Sequence, residues 1–205
     1  MQRTIIFFVL VLTLLLANLQ ANILDQSFAF FSKSNEQKSD ELLASIEASI
    51  LLEKAKETIQ KGKYKKALKI YKKIYKEYPT SKYAPQALYQ MGKLQITRNK
   101  YKKAFSLLNK IVLEYPNYPP FNQVIAEQYK IAKTMTKEKK SKYFGIGKYR
   151  QKNKAISYFE SIIKNAPFSK YAPLCLESIA TIHLERKHKN QAIQALEKLI
   201  SKYKN

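Results

Sequence analysis

Only one cysteine, four glycines and two histidines occur among 205 residues, and each shortage excludes a kind of chemistry. Cys175 alone cannot form an internal disulfide or a cysteine metal cluster, and its place inside an apolar helical pattern suits a small core residue. Four glycines leave no Gly-rich loop to cradle a phosphate. Aspartate ends at Asp40, so beyond it glutamate and two histidines are the main acid–base groups. His183 and His188 are five residues apart, not at the i, i+4 spacing that sets two ligands on one helix face. Serines such as Ser157 and Ser178 lack a nucleophile-elbow context. The expectation is a protein that is not an enzyme, with no catalytic residue, no cofactor and no metal.

Arginine is also scarce. Of 38 basic residues only Arg3, Arg98, Arg150 and Arg186 are arginine, in a chain of formal charge +23. Nucleic-acid readers use the guanidinium fork for bidentate contacts, so a lysine-rich chain argues for no nucleic-acid partner. Two lysine clusters stand out. One runs from Lys61 through Lys63, Lys65, Lys66 and Lys69 to Lys72 and Lys73. The other includes Lys139, Lys140, Lys142, Lys148 and Arg150 around an apolar tip with Phe144, opposed only by Glu138. The residues of this second cluster are candidates for contact with an anionic membrane surface or an acidic partner, beside the simpler reading of a solvated face.

No apolar run reaches the roughly 20 residues needed to span a bilayer. The longest, Ile5 to Leu16 interrupted by Thr13, follows Arg3 and precedes Leu19-Gln20-Ala21. That order predicts a signal peptide over 1–21 and an exported protein, with retention of the stretch as an anchor as the alternative. No cysteine follows it, so a cysteine-anchored lipoprotein is not expected. Residues 22–39, with Phe28, Phe30 and Phe31 before a polar run, read as a flexible tether.

Repetition fills the remainder. The phrase Ser81-Lys82-Tyr83-Ala84-Pro85 returns as Ser169-Lys170-Tyr171-Ala172-Pro173. Ala67, Ala104, Ala155 and Ala192 fall in register at steps of 37, 51 and 37, and Pro79, Pro116 and Pro167 repeat the first two steps. The unit is therefore 37 residues with one insertion of 14, near 137–150. Each alanine opens an amphipathic stripe, as in Ala104, Leu107, Leu108, Ile111 and Val112. Before each stripe runs a first helix whose small residue, Ala55, Gly92, Ala132 or Ala180, permits close crossing.

The pattern predicts an all-α array over 40–205, with helices near 40–61, 64–77, 82–98, 101–114, 121–136, 151–165, 170–187 and 190–203. Ser39 or Asp40 is placed to cap the first helix. Pro85 and Pro173 fall in first turns, where a missing N–H costs little. Tyr64, Tyr71 and Tyr75 read as core. A pair of helices cannot bury its apolar face alone, so the pairs stack on a shared core. The outer face of the last helix is expected to be polar, as Gln191 and Gln194 suggest, or covered by a partner.

The segment Lys61-Gly62-Lys63-Tyr64-Lys65-Lys66-Ala67, followed by Tyr71 and Pro79, resembles the tetratricopeptide repeat pattern. Asn99 to Ala104 with Leu108 and Pro116 gives a second copy, Ala155 with Phe159 and Pro167 a third, and Ala180 with Ala192 and Leu196 a fourth. The resemblance covers roughly 42 to 203, and its units slightly exceed the family's usual ~34 residues. It implies a right-handed α-solenoid of about four helix pairs whose first helices line a concave groove. On that groove Gln86, Tyr89, Lys93, Ile96, Tyr129, Lys130 and Lys133 are the candidate partner-binding residues, mixing rigid aromatic contact area with positive charge.

Tyr78-Pro79-Thr80-Ser81-Lys82-Tyr83-Ala84 and Glu114-Tyr115-Pro116-Asn117-Tyr118-Pro119 look like the exported bacterial branch of the family, and most resemble BamD-type outer-membrane-assembly proteins. That resemblance implies a periplasmic scaffold at the outer membrane. Its partners would be proteins, those of the machinery that inserts β-barrels. The missing lipidated cysteine and a count of four repeats, where that type has five, depart from it. Alternatives are a Tol-Pal-type periplasmic coordinator, a generic exported tetratricopeptide adaptor, and the repeat subunit of an envelope enzyme.

Overall fold

The computed structural model describes residues 30, 33, 37–137 and 146–203, with the side chains of 146–151 excepted. The expected signal peptide, most of the tether, and Lys139, Lys140, Lys142 and Phe144 of the basic insertion lie outside the described residues. The chain divides into two compact units, Met1–Glu47 and Ala48–Asn205.

Helices account for all regular structure among the described residues. They are α1 (37–60), α2 (Tyr64–Glu77), α3 (Tyr83–Thr97), α4 (Tyr101–Glu114), α5 (Phe121–Thr136), α6 (Ile146–Asn165), α7 (Tyr171–Glu185) and α8 (Lys189–Lys202). None of them is both long enough and apolar enough to cross a membrane. From α2 onward each helix packs on its chain neighbours, with additional contact between α4 and α6 and between α5 and α7. This is the contact pattern of a helical solenoid.

In the first unit, residues 37–47 are helical, and Leu42 and Leu43 are exposed. Ser39 and Asp40 therefore sit inside a helix rather than capping one. Gln37 and Lys38 are competent helix formers, and no glycine or proline stops the helix there.

In the second unit, the alanines that set the register, Ala67, Ala104, Ala155 and Ala192, are all fully buried. So are Tyr71, Leu108 and Phe159, each four residues later. One apolar cluster joins Ala48, Leu52 and Ala55 to Tyr71, Ile74 and Leu94. A larger one extends from Leu88 through α4, α5 and α6 to Ala195. α3 feeds both clusters, which explains its apolar residues on several faces. Gly92 marks its closest crossing: a Cβ there would lie 2.9 Å from Cδ2 of the buried Leu108. Tyr64 corrects the expectation of a core residue. It is 50 % exposed, in an open cleft that it shares with Lys63, Lys65, Lys66 and Arg98, while Tyr75 is half-buried.

The turns inside the pairs share one geometry. Gly62, Asn99 and Lys187 occupy the same repeat position, and all three have positive φ, between 55° and 69°. In each case the next N–H donates to a carbonyl five residues back: Lys63 to Thr58, Lys100 to Gln95 and His188 to His183. This is a Schellman closure of the first helix. The third pair departs from it. Arg150, at the corresponding position, is helical, because α6 runs for 20 residues where α2, α4 and α8 have 14. Part of the insertion is thus an N-terminal extension of α6, which was expected to start at 151.

The turns between pairs also repeat. Ser81 and Ser169 donate their hydroxyls to the carbonyls of Tyr78 and Ala166, each at 2.8 Å. Lys82 and Lys170 lie over the rings of Tyr83 and Tyr171, at 5.3 and 5.5 Å. Tyrosine hydroxyls then clasp successive pairs, Tyr115 donating to the Pro79 carbonyl (2.9 Å) and Tyr203 to that of Pro167 (2.8 Å). The equivalent position before Pro167 is Ala166, so the irregular third pair lacks this clasp. A polar knot stands in its region instead. The side-chain carbonyl of Asn109 on α4 accepts from Gln128, Ser161 and Asn165 at 3.1–3.3 Å, tying α4, α5 and α6 together.

Candidate partner-binding face

First helices α3, α5 and α7 bring several of the expected groove residues together. On α3, the Lys93 ammonium lies 5.9 Å from the centre of the Tyr89 ring, one turn away on the same face. Burial, and then the Glu127 charge, push the Tyr89 hydroxyl above its ordinary range, against the pull of Lys130. The phenol is therefore a neutral donor across physiological pH. Tyr118, in the turn before α5, is shifted the same way by burial and then by Tyr89.

On α5, Lys130 and Glu127 form an i, i+3 pair at 3.0 Å. The hydrogen bond that Lys130 donates to the Glu127 carboxylate is the largest cause raising its ammonium above its usual value, followed by the Glu127 charge. The pair is exposed on the lysine side, so its contribution to stability is small. Tyr129 is half-buried, with its ring 5.3 Å from that of Tyr171 on α7 and 5.8 Å from the buried Phe159 on α6. It is thus partly a packing residue, and its remaining surface joins Tyr171.

Gln86 is half-buried on α3, and Lys133 is exposed on α5. Ile96 is half-buried and packs against the larger apolar cluster, so it is at least partly a packing residue. Glu127, Tyr118 and Tyr171 were not among the residues selected from the sequence. Tyr171 carried a usable signal, its place in the doubled Ser-Lys-Tyr-Ala-Pro phrase. Glu127 carried only its rarity as an acid among lysines.

The face offers phenol donors, an exposed ammonium at Lys93, and one acid–base pair. Among the described residues no group of three or more metal-ligating side chains is present. Lys148 and Arg150 lie in helical backbone at the start of α6. His183, at the end of α7, has a buried Nδ1 with no partner. Its pKa is lowered first by burial, then by His188 and Arg186, against Glu160.

Tetratricopeptide repeat models match residues 58–127 and 176–205. No curated protein matches the sequence. Among solved structures, a "MamA RS-1 ArsTM double mutant" is 16 % identical, with 76 % of this chain and 75 % of that chain covered at a TM-score of 0.41. "MamA 41-end from Desulfovibrio magneticus RS-1" is also 16 % identical, with 75 % and 93 % covered at a TM-score of 0.32. The two family-model matches show that the chain carries tetratricopeptide repeats, one running from the end of α1 into α5 and the other from within α7 over α8.

Proposed function

We propose that this protein is a non-enzymatic scaffold of the cell envelope, of the BamD type, that supports outer-membrane β-barrel assembly by binding partner proteins. The observation that carries the binding role is the shared face of Tyr89, Lys93, Lys130 and Tyr171, where aromatic area and positive charge stand side by side. Such a surface suits an extended or helical segment, with aromatic rings as low-entropy anchors and lysines as charge complement. The exported location rests on Arg3, the apolar run Ile5 to Leu16 and Leu19-Gln20-Ala21. The narrower assignment rests on the Tyr-Pro phrases at 78–84 and 114–119.

Affinity capture from envelope fractions tests the reading. The expected result is recovery of a barrel-assembly component, reduced about tenfold by Tyr89→Ala with Lys93→Glu, as for removal of an anchor residue. Recovery of Tol-Pal components alone would replace the assignment with a periplasmic coordinator. Capture of a barrel-assembly component that is indifferent to both substitutions would move the binding face elsewhere.

A further inference from the structure

The turns inside the first two pairs carry the same exposed cargo. Gly62-Lys63-Tyr64-Lys65-Lys66 and Asn99-Lys100-Tyr101-Lys102-Lys103 differ only in their first residue. The scaffold accounts for the first position through its positive φ, and for the alanine that follows through its burial. It does not account for the three lysines of either copy, all of which are exposed. Each turn forms a cleft. The first, of about 540 Å³, is lined by Gly62, Lys63, Tyr64, Lys65, Lys66 and Arg98. The second, of about 410 Å³, is lined by Asn99, Lys100, Tyr101, Lys102, Lys103 and residues near the end of α5. Arg98 links the two, since it immediately precedes the second turn while lining the first cleft.

No acidic residue lines either cleft. From Thr58 to Leu113 the only acid is Glu77, and its described ion pair is with Lys73, outside the clefts. None of the cleft lysines takes part in a described salt bridge. The corresponding segment of the third pair, within α6, is different: Lys152 pairs with Glu185 at 2.6 Å, and Arg186 donates to Asn153 at 2.6 Å. Among the described residues, both clefts are thus lined by lysines with no acid beside them. Like charges held this close repel, which disfavours the compact state until an anionic surface meets them.

We infer that this edge is a docking surface for anionic lipid headgroups on a bilayer. Lysine supplies mobile point charges suited to a fluid headgroup layer, whereas the guanidinium forks used in nucleic-acid readout are almost absent. Tyr64 and Tyr101 stand among the lysines, and an amphipathic ring with a polar tip suits the interface between water and lipid. None of Tyr89, Lys93, Lys130 and Tyr171 lines either cleft, so either reading can fail without the other.

The test is partition of the full chain onto phosphatidylcholine vesicles with and without phosphatidylglycerol, taking the ratio of the two so that insertion common to both cancels. The expected ratio for the parent is above about tenfold, and it falls by about tenfold or more in Lys65→Gln/Lys66→Gln/Lys102→Gln/Lys103→Gln. An equal loss of charge in Lys69→Gln/Lys72→Gln/Lys198→Gln/Lys202→Gln keeps at least half of the preference. An equal fall in both variants would overturn the proposal in favour of bulk charge. So would unchanged partition in the first variant, or a first variant that loses binding to duplex DNA and not to vesicles. Melting by circular dichroism checks that each variant is folded, and the two double substitutions within the first variant are read separately if it is not.

Discussion

At the residue scale, burial decides what a side chain can do. Cys175 is fully buried, and desolvation pushes its thiol up to about 12. The thiolate is the reactive form, so the native protein should be inert to thiol reagents. Treatment with an alkylating agent at pH 8 is expected to leave Cys175 unmodified in native protein and to label it fully once urea unfolds the array. Rapid native labelling would contradict its placement. This residue was legible in the sequence, since a lone cysteine in an apolar helical pattern is most simply core. Tyr64 was less so. Its repeat position suggests packing, but exposure depends on what surrounds the first turn of α2, and there Tyr64 opens into a cleft with Lys63, Lys65, Lys66 and Arg98.

At the element scale, one backbone conformation recurs with three different residues. Gly62 adopts positive φ without cost, Asn99 tolerates it, and Lys187 has a Cβ that opposes it. Replacing Lys187 by glycine relieves that opposition while keeping the Schellman hydrogen bonds. Lys187→Gly is expected to raise stability by about 1 kcal/mol, seen as a shift in the urea midpoint with unchanged slope. Gly62→Ala should move the midpoint the other way by a similar amount, although a Cβ there meets no neighbouring atom within 4 Å. Helix existence and most boundaries followed from the 37-residue register. The start of α1 and the extension of α6 did not. Both depend on how far a helix propagates in the absence of a stop residue, a weak local signal.

At the scale of the stacked pairs, identical repeat positions meet different surroundings. The residue four after each register alanine is Tyr71, Leu108, Phe159 and then Leu196. The first three are fully buried, whereas Leu196 is 39 % exposed. Ile193 and Ile200 flank it and are also exposed, although Phe105 and Val112 at the same positions of α4 are buried. The outer face of α8 is therefore an apolar stripe, which corrects the polar alternative and leaves that of a covering partner or self-association. Gln191 and Gln194 are exposed but do not define that face. Leu108→Ala is expected to cost about 2–5 kcal/mol, and Leu196→Ala well under half as much, as measured by chemical denaturation. Equal costs would mean that another surface covers α8.

By itself the sequence determined the all-helical class, the 37-residue unit, the pairing of helices and the small residues at their crossings. Each of these is written in local periodicity: apolar residues at helical spacing and a small residue where backbones approach. Only the tertiary structure decided which residues from different pairs share a surface. Tyr89 meets the field of Glu127 and Lys130 at sequence separations of 38 and 41, and Tyr129 meets Tyr171 across the insertion. The three donors that converge on Asn109 come from two other helices. Periodicity specifies which face of a helix is buried, but it carries no record of the offset at which one pair settles on the next. That offset is set by packing, and it assembles both the partner-binding face and the lysine-lined edge.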